Sequence, residues 1–174
     1  MSLRQLLNTD AVRYVCGGVF LSYVKRPIFR VVFWYRIVCH LKKKAFFKYS
    51  LGPIALLIFR YYEVKHGVYL NTNTYIGGGL YIEHGGCVYI NANHIGKNFT
   101  VFHEVTLGVS THNKKPYVED DVTVYMGAKI FGDVRLGAGC VVGVNSVVTK
   151  DVQSNHVVAG VPAKVIRTNK YIYE

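Results

Sequence analysis

Two histidines sit at matched places in a repeating pattern. His84 comes two residues after Ile82, and His103 comes two residues after Val101. An imidazole titrates near neutrality, so it can take a proton from a hydroxyl as that oxygen attacks a carbonyl. Further along the chain, Met126 and Val144 stand at the same offset from Val124 and Val142, with Gly127, Ala128 and Gly143 beside them. Small residues let a ligand approach the backbone closely. This set therefore suits a proton-transfer group at one end of a ligand-binding track. Glu83 and Glu104 adjoin the two histidines in sequence. Neighbours along a strand point to opposite faces, so adjacency alone makes neither the partner of its ring. A zinc site on stacked histidines is an alternative, with His112 as third ligand. We favour chemistry that requires no metal.

The elements that must position these groups follow from a period of six. Val118, Val124, Ile130, Leu136, Val142 and Val148 recur at that spacing, and Val122, Ala128, Val134, Cys140, Ser146 and Val152 follow four residues after each. The beat also runs through Leu70, Ile76 and Ile82, then through Tyr89, Ile95, Val101 and Leu107. Helices repeat at 3.6 and strands at 2, whereas six is the repeat of a stacked solenoid with one short strand and a corner per hexad. Three hexads make one turn of about 18 residues. The step from Ile82 to Tyr89 is seven, so His84 and His103 are one turn plus one residue apart and should stack, about 5 Å apart along the axis. The step from Leu107 to Val118 is eleven, which predicts a loop over Gly108–Tyr117 carrying His112, Lys114 and Lys115. Such insertions project from a corner, and we expect this one beside the histidines on the binding face.

The solenoid is expected over residues 68–153. Residues 154–174 form a tail that leaves the repeat at Gly160 and Pro162, and residues 1–67 form a helical segment with helices at Pro27–Leu41 and Pro53–Lys65. Lys42–Lys44 close the first of these helices. Charge is uneven: residues 1–65 hold 12 Lys/Arg against 2 Asp/Glu, while residues 66–174 hold 9 against 8. A basic segment rich in aromatics, with Phe46 and Phe47 among them, fits either a cap packed on the solenoid or a surface that meets anionic lipid. No nucleic-acid recognition motif accompanies the charge. No cleavable leader or apolar stretch of spanning length is evident. Cys16, Cys39, Cys87 and Cys140 lack metal or disulfide spacing, as expected of free thiols in a cytoplasmic protein.

The segment IEHGGCVYINANHIGKNFTVFHEVTLG (Ile82–Gly108), with VYMGAKIFGDVRLGAGCVVGVNSVV (Val124–Val148) and AGVPAKVI (Ala159–Ile166), resembles the serine acetyltransferase branch of the hexapeptide-repeat acyltransferases. The likeness covers about residues 68–167. The short helical N-terminus is also similar to that of bacterial exopolysaccharide O-acetyltransferases of this branch. The resemblance implies a mainly β fold: a left-handed parallel β-helix of hexapeptide repeats behind a short N-terminal α-helical segment. It implies a homotrimer with acetyl-CoA in the groove between subunits. By the same resemblance His84 falls on the catalytic histidine, while Met126 and Val144 fall on positions whose backbone meets the pantetheine arm. Lys164 and Arg167 would meet the CoA phosphates. Three positions depart from the family pattern. Tyr69 replaces the aspartate that backs the histidine, Glu83 replaces the substrate-binding aspartate, and Lys115 replaces a second histidine.

These readings converge on an acetyl-CoA-dependent O-acetyltransferase. His84 is the base, His103 a second catalytic group that could orient it, and Glu83 and His112 contact the acceptor. The departures and the short N-terminus favour a sugar or glycan-precursor hydroxyl, with L-serine as the alternative. A non-catalytic β-helix scaffold is the alternative of another class. The chain ends in Tyr171-Ile172-Tyr173-Glu174 rather than isoleucine, so no complex with a cysteine-synthesising enzyme is expected.

Overall fold

The computed structural model describes residues 1–43 and 51–168. Lys44, Phe46, Phe47 and the C-terminal Tyr171–Glu174 lie outside the described residues. Among the described residues four helices come first: α1 (Leu3–Tyr14), α2 (Gly18–Lys25), α3 (Pro27–Leu41) and α4 (Gly52–His66). Ser2 and Gln5 form a reciprocal capping box at α1. Proline opens α3 and α4, where its missing N–H costs no helical bond. Gly67 ends α4 in the left-handed conformation at φ 61°.

Fifteen short strands follow: β1 (Val68–Leu70), β2 (Tyr75–Ile76), β3 (Tyr81–Ile82), β4 (Val88–Ile90), β5 (His94–Ile95), β6 (Thr100–Val101), β7 (Thr106–Gly108), β8 (Tyr117–Val118), β9 (Thr123–Val124), β10 (Lys129–Phe131), β11 (Arg135–Leu136), β12 (Val141–Val142), β13 (Val147–Val148), β14 (His156–Ala159) and β15 (Lys164–Thr168). They form three sheets, ordered β1-β4-β7-β10-β13, β2-β5-β8-β11 and β3-β6-β9-β12-β14-β15. Every pair is parallel except β14 with β15. This is a left-handed parallel β-helix of triangular section. The inward residue of each hexad is buried, as are Val122, Ala128, Val134, Cys140, Ser146 and Val152 at the corners.

Two details differ from the reading of the sequence. Tyr89 does not belong to the inward column. It is exposed, and Val88 and Ile90 on either side of it are buried. Three consecutive hydrophobic residues hide which one faces in, and the register, Leu70 with Ile90 and Ile90 with Leu107, selects the outer two. The tail also stays in the solenoid longer than expected. Val157 and Val158 pair in parallel with Val141 and Val142, and the chain then reverses through residues 160–163 into antiparallel β15.

The helices cover the open N-terminal end of the solenoid. Asp10 of α1 and Arg36 of α3 form a buried ion pair, with Oδ2 2.8 Å from Nε. Asp10 Oδ1 also accepts the amides of Gly79 (2.8 Å) and Leu80 (2.9 Å). The Arg36 guanidinium donates to the Ile76 and Gly77 carbonyls. One pair of charges thus satisfies the backbone groups that the first coil leaves unpaired. Tyr35 donates to the Thr74 carbonyl (2.6 Å), and Glu63 of α4 accepts the Leu70 amide (2.8 Å). Lys42 turns back onto the solenoid, where its Nζ bonds Thr72 Oγ1 and Asn73 Oδ1, so it is not part of a free lysine run.

Candidate functional site

Every turn of the solenoid crosses from the β3 sheet to the β1 sheet at one edge. Residues 83–87, 102–105, 125–128 and 143–146 form that edge. His84, His103, Met126 and Val144 occupy it in order, each two residues past a buried aliphatic residue. Successive strands lie about 4.8 Å apart, so the track from His84 to Val144 is about 14 Å long. The imidazoles of His84 and His103 face each other, with ring centroids 6.1 Å apart and planes tilted by 49°. The predicted stacking is therefore present in this structure.

Glu83 and His84 lie beyond the end of β3, in a corner, so strand alternation does not separate them. Glu83 Oε1 is 3.9 Å from His84 Nε2, an ion-pair distance rather than a hydrogen bond. The corner is two residues longer than its counterpart at His103, and it turns through Gly86 (φ 109°) and Cys87 (φ 53°). The helical cap pins it. The Gly86 amide donates to the His66 carbonyl at the end of α4 (2.8 Å), and the Val88 amide donates to Gly67 (2.9 Å). A Cβ at Gly85 would lie 2.6 Å from the His66 carbonyl oxygen and 2.8 Å from Ile28 Cδ1. Only glycine fits there, and this close approach fixes where His84 stands.

A cleft of about 210 Å³ opens at this corner between Tyr14, Arg26, Ile28, Tyr81, Glu83 and His84. Tyr14 Oη accepts the Ile82 amide (2.8 Å) and anchors the strand that leads to His84. Burial first, then the Glu83 carboxylate, hold the Tyr81 phenol above its ordinary range, so it keeps its proton. Arg26 makes no side-chain hydrogen bond or ion pair among the described residues. Its guanidinium, the Glu83 carboxylate and the His84 imidazole thus share one cleft. The sequence reading missed Arg26, Tyr14 and Tyr81. Tyr14, in α1, and Arg26, between α2 and α3, lie outside the repeat, and Tyr81 occupies an outward hexad position with nothing in its spacing to distinguish it. A larger cleft of about 320 Å³ lies between α1, α3 and residues 72–76. It contains neither histidine of the pair, so the smaller one is the candidate site.

The remaining predicted residues divide by position. Met126, Gly127, Ala128, Gly143 and Val144 share the histidine edge. A Cβ at Gly127 (φ 73°) would fall 1.8 Å from Asn145 Oδ1, and one at Gly143 would meet Ala159 Cβ at 3.0 Å, so side chains there would displace the next coil. Lys164 and Arg167 are exposed on β15, at the far end of the β3 sheet. His112 is not where it was expected. Its loop, residues 109–116, joins β7 to β8 at a different edge and is held by Lys114 Nζ to Asp133 Oδ2 (2.7 Å) and by Asn93 to the Lys115 carbonyl (3.3 Å). The insertion length was legible, and its corner follows from the regular step between Val101 and Leu107: the loop comes one strand after His103 and falls on the next edge. Tyr69 lies on the outward face of the β1 sheet and makes no hydrogen bond to His84 among the described residues. The described residues contain no cluster of three His, Cys, Asp or Glu side chains able to hold a metal ion. Cys140 is buried in the core, which pushes its thiol up to about 12, and all four cysteines are free.

Known proteins resemble this chain in both sequence and fold. No protein-family model matches it. The serine acetyltransferase of Bacillus pumilus is 35% identical over 140 residues, 78% of this chain and 63% of that protein. The chain thus spans less than two thirds of that relative's length. The serine acetyltransferase of Bacillus subtilis is 33% identical over 152 residues, covering 83% of this chain and 70% of its own. The crystal structure of the soybean enzyme in complex with serine superimposes with a TM-score of 0.78 at 25% identity, covering 95% of this chain and 70% of that one. The Brucella abortus enzyme in complex with coenzyme A has a TM-score of 0.78 at 22% identity, covering 94% of this chain and 67% of that one, and shows the fold alone. The hexad repeat, the capped solenoid and one-third identity across most of the Bacillus subtilis protein together establish that this chain belongs to the serine acetyltransferase family.

Proposed function

We propose that the protein transfers the acetyl group of acetyl-CoA to a hydroxyl oxygen, with L-serine as the acceptor. One observation carries the reading: His84, Glu83 and Arg26 surround a single cleft at the head of the glycine-lined edge. A free amino acid presents a carboxylate, an ammonium and a hydroxyl. Arg26 suits the first, Glu83 the second and His84 the third. His84 takes the hydroxyl proton while the oxygen attacks the thioester carbonyl carbon. The tetrahedral intermediate then expels the CoA thiolate, which recovers the proton from the imidazolium. The products are the O-acetyl ester and free CoA. In this reading His103, stacked on His84, and Glu83 beside it orient the ring in place of the carboxylate that Tyr69 replaces. Acetyl-CoA runs along the edge past Met126, Gly127, Ala128, Gly143 and Val144, with Lys164 and Arg167 toward its phosphates.

The named relatives favour L-serine over the sugar hydroxyl to which the sequence pointed first. Tyr69 and Lys115, in place of the family's aspartate and histidine, are what keeps a sugar acceptor as the second reading. A homotrimer belongs to the same proposal. The His112 loop lies on another edge of the prism, and a neighbouring copy is what would bring such a loop to the His84 cleft. The test is acetyl transfer followed by product mass, with L-serine, L-serinamide and neutral sugars as acceptors. L-serine should be acetylated and serinamide poorly. Arg26→Ala should raise KM for L-serine about 10–100-fold, the scale of a lost charge-assisted hydrogen bond, with KM for acetyl-CoA little changed. Transfer to sugars alone would replace L-serine with the second reading. Binding of acetyl-CoA without transfer to any acceptor would favour a scaffold.

A further inference from the structure

Helix α4 has two faces. Gly52, Ala55, Phe59 and Glu63 are buried against the rest of the protein. On the opposite side Ile54, Leu57, Tyr61 and Val64 are 56%, 70%, 58% and 70% exposed. Their spacing of three, four and three residues places them on one stripe. Arg60 and Lys65 flank the stripe on either side, and Lys65 Nζ lies 5.4 Å above the Tyr61 ring centre. The helix has one carboxylate, Glu63. It is buried beneath the helix, with Oε2 2.6 Å from Arg60 Nη1, so no acidic side chain of α4 reaches the exposed face. Phe20 and Val24 of α2 are also exposed. A continuous apolar stripe of this kind marks an interaction surface.

We infer that α4 docks on the surface of an anionic lipid bilayer, with its apolar stripe in the interface and its basic flanks at the phosphates. Charge selects this occupant. Residues 1–65 carry 12 Lys/Arg against 2 Asp/Glu, and both acids, Asp10 and Glu63, are buried in ion pairs. A second copy meeting it across a two-fold axis would bring the same positive segment against this one, and like charges would oppose that contact. A layer of anionic headgroups complements both the charge and the apolar stripe. The helix lies in the plane of the surface rather than through it. No described helix is long and apolar enough to cross a membrane. The inference rests on α4 and its charge, and holds whichever hydroxyl the His84 cleft acetylates.

The test is flotation of the full chain with vesicles of phosphatidylcholine alone and of phosphatidylcholine with about a third phosphatidylglycerol. The chain should float with the anionic vesicles and stay behind with the neutral ones, and added salt should weaken binding by screening. Arg60→Gln and Lys65→Gln should each weaken binding about fivefold, and Leu57→Ser with Tyr61→Ser should abolish it. Circular dichroism reports whether each variant still folds, and the two charge variants test the inference even if the double variant does not fold. Failure to float with anionic vesicles, equal binding to both compositions, or a change from larger to smaller oligomer in the Leu57/Tyr61 variant would each overturn it.

Discussion

At the scale of single residues, the account rests on what surrounds His84. Its side chain is two-thirds exposed, Glu83 is close but not hydrogen-bonded, and His103 faces the ring. Removing the Glu83 charge should therefore cost less than removing the imidazole. Glu83→Gln is expected to lower kcat/KM for the acceptor about tenfold, while His84→Ala, which removes the base, should cost about 10²–10⁴-fold in kcat. Steady-state rates with both substrates varied distinguish the two. His66 gives a pH prediction. Its Nε2 is buried without a hydrogen-bond partner among the described residues, and its ring is stacked on Tyr62. Burial first, then Lys65 and Arg30, lower its pKa below 6.5. The unfolded chain then binds a proton at a pH where the folded one does not. Stability from this group is complete above about pH 6.5 and declines as pH falls from there toward the lowered folded value. Urea midpoints at about pH 7.5 and pH 5.5 should differ in the wild type, and the difference should shrink in His66→Phe, which keeps the stack but cannot titrate.

At the scale of elements, the corner at residues 83–87 connects the cap to the chemistry. It hangs from the end of α4 by the His66 and Gly67 carbonyls, and Gly85 has no room for a Cβ. Gly85→Ala should move His84 out of register with His103, and a displacement of about 1 Å can cost 10²-fold in rate. A loss of kcat far exceeding the loss of melting temperature is the expected result. Unchanged kcat per folded molecule would show that the corner tolerates the shift. The hexad beat made the strands and the stacking of the two histidines legible, because burial recurs wherever the chain is regular. It could not show that Tyr89 points outward, which depends on the irregular corner between Ile82 and Val88, where the beat is silent. Arg26 was equally invisible. It acts from the turn between two helices, and no periodicity links that turn to residue 84.

At the scale of the whole molecule, the helical cap and the solenoid fold as one unit because they share buried polar groups. Asp10 and Arg36 are paired with each other and with four backbone groups of the first coil, and both are almost fully buried. Asp10→Ala leaves a buried guanidinium without its counter-charge and two amides without an acceptor. The expected loss is about 3–5 kcal/mol of unfolding free energy, read from urea denaturation. A loss near zero would mean that the cap contributes little to the stability of the first coil. The pair is 26 residues apart in sequence and spans two helices, so its partnership emerges only from the packing of α1 across α3. The exposed apolar stripe of α4 and the His84 cleft are both features of this one unit. The proposed function requires that the cleft at the head of the edge perform acetyl transfer with His84 as base. The most direct measurement is release of free CoA from acetyl-CoA in the presence of L-serine, for wild type and His84→Ala side by side. Turnover that requires both L-serine and His84 is the expected result, whereas undiminished turnover in His84→Ala would contradict the account.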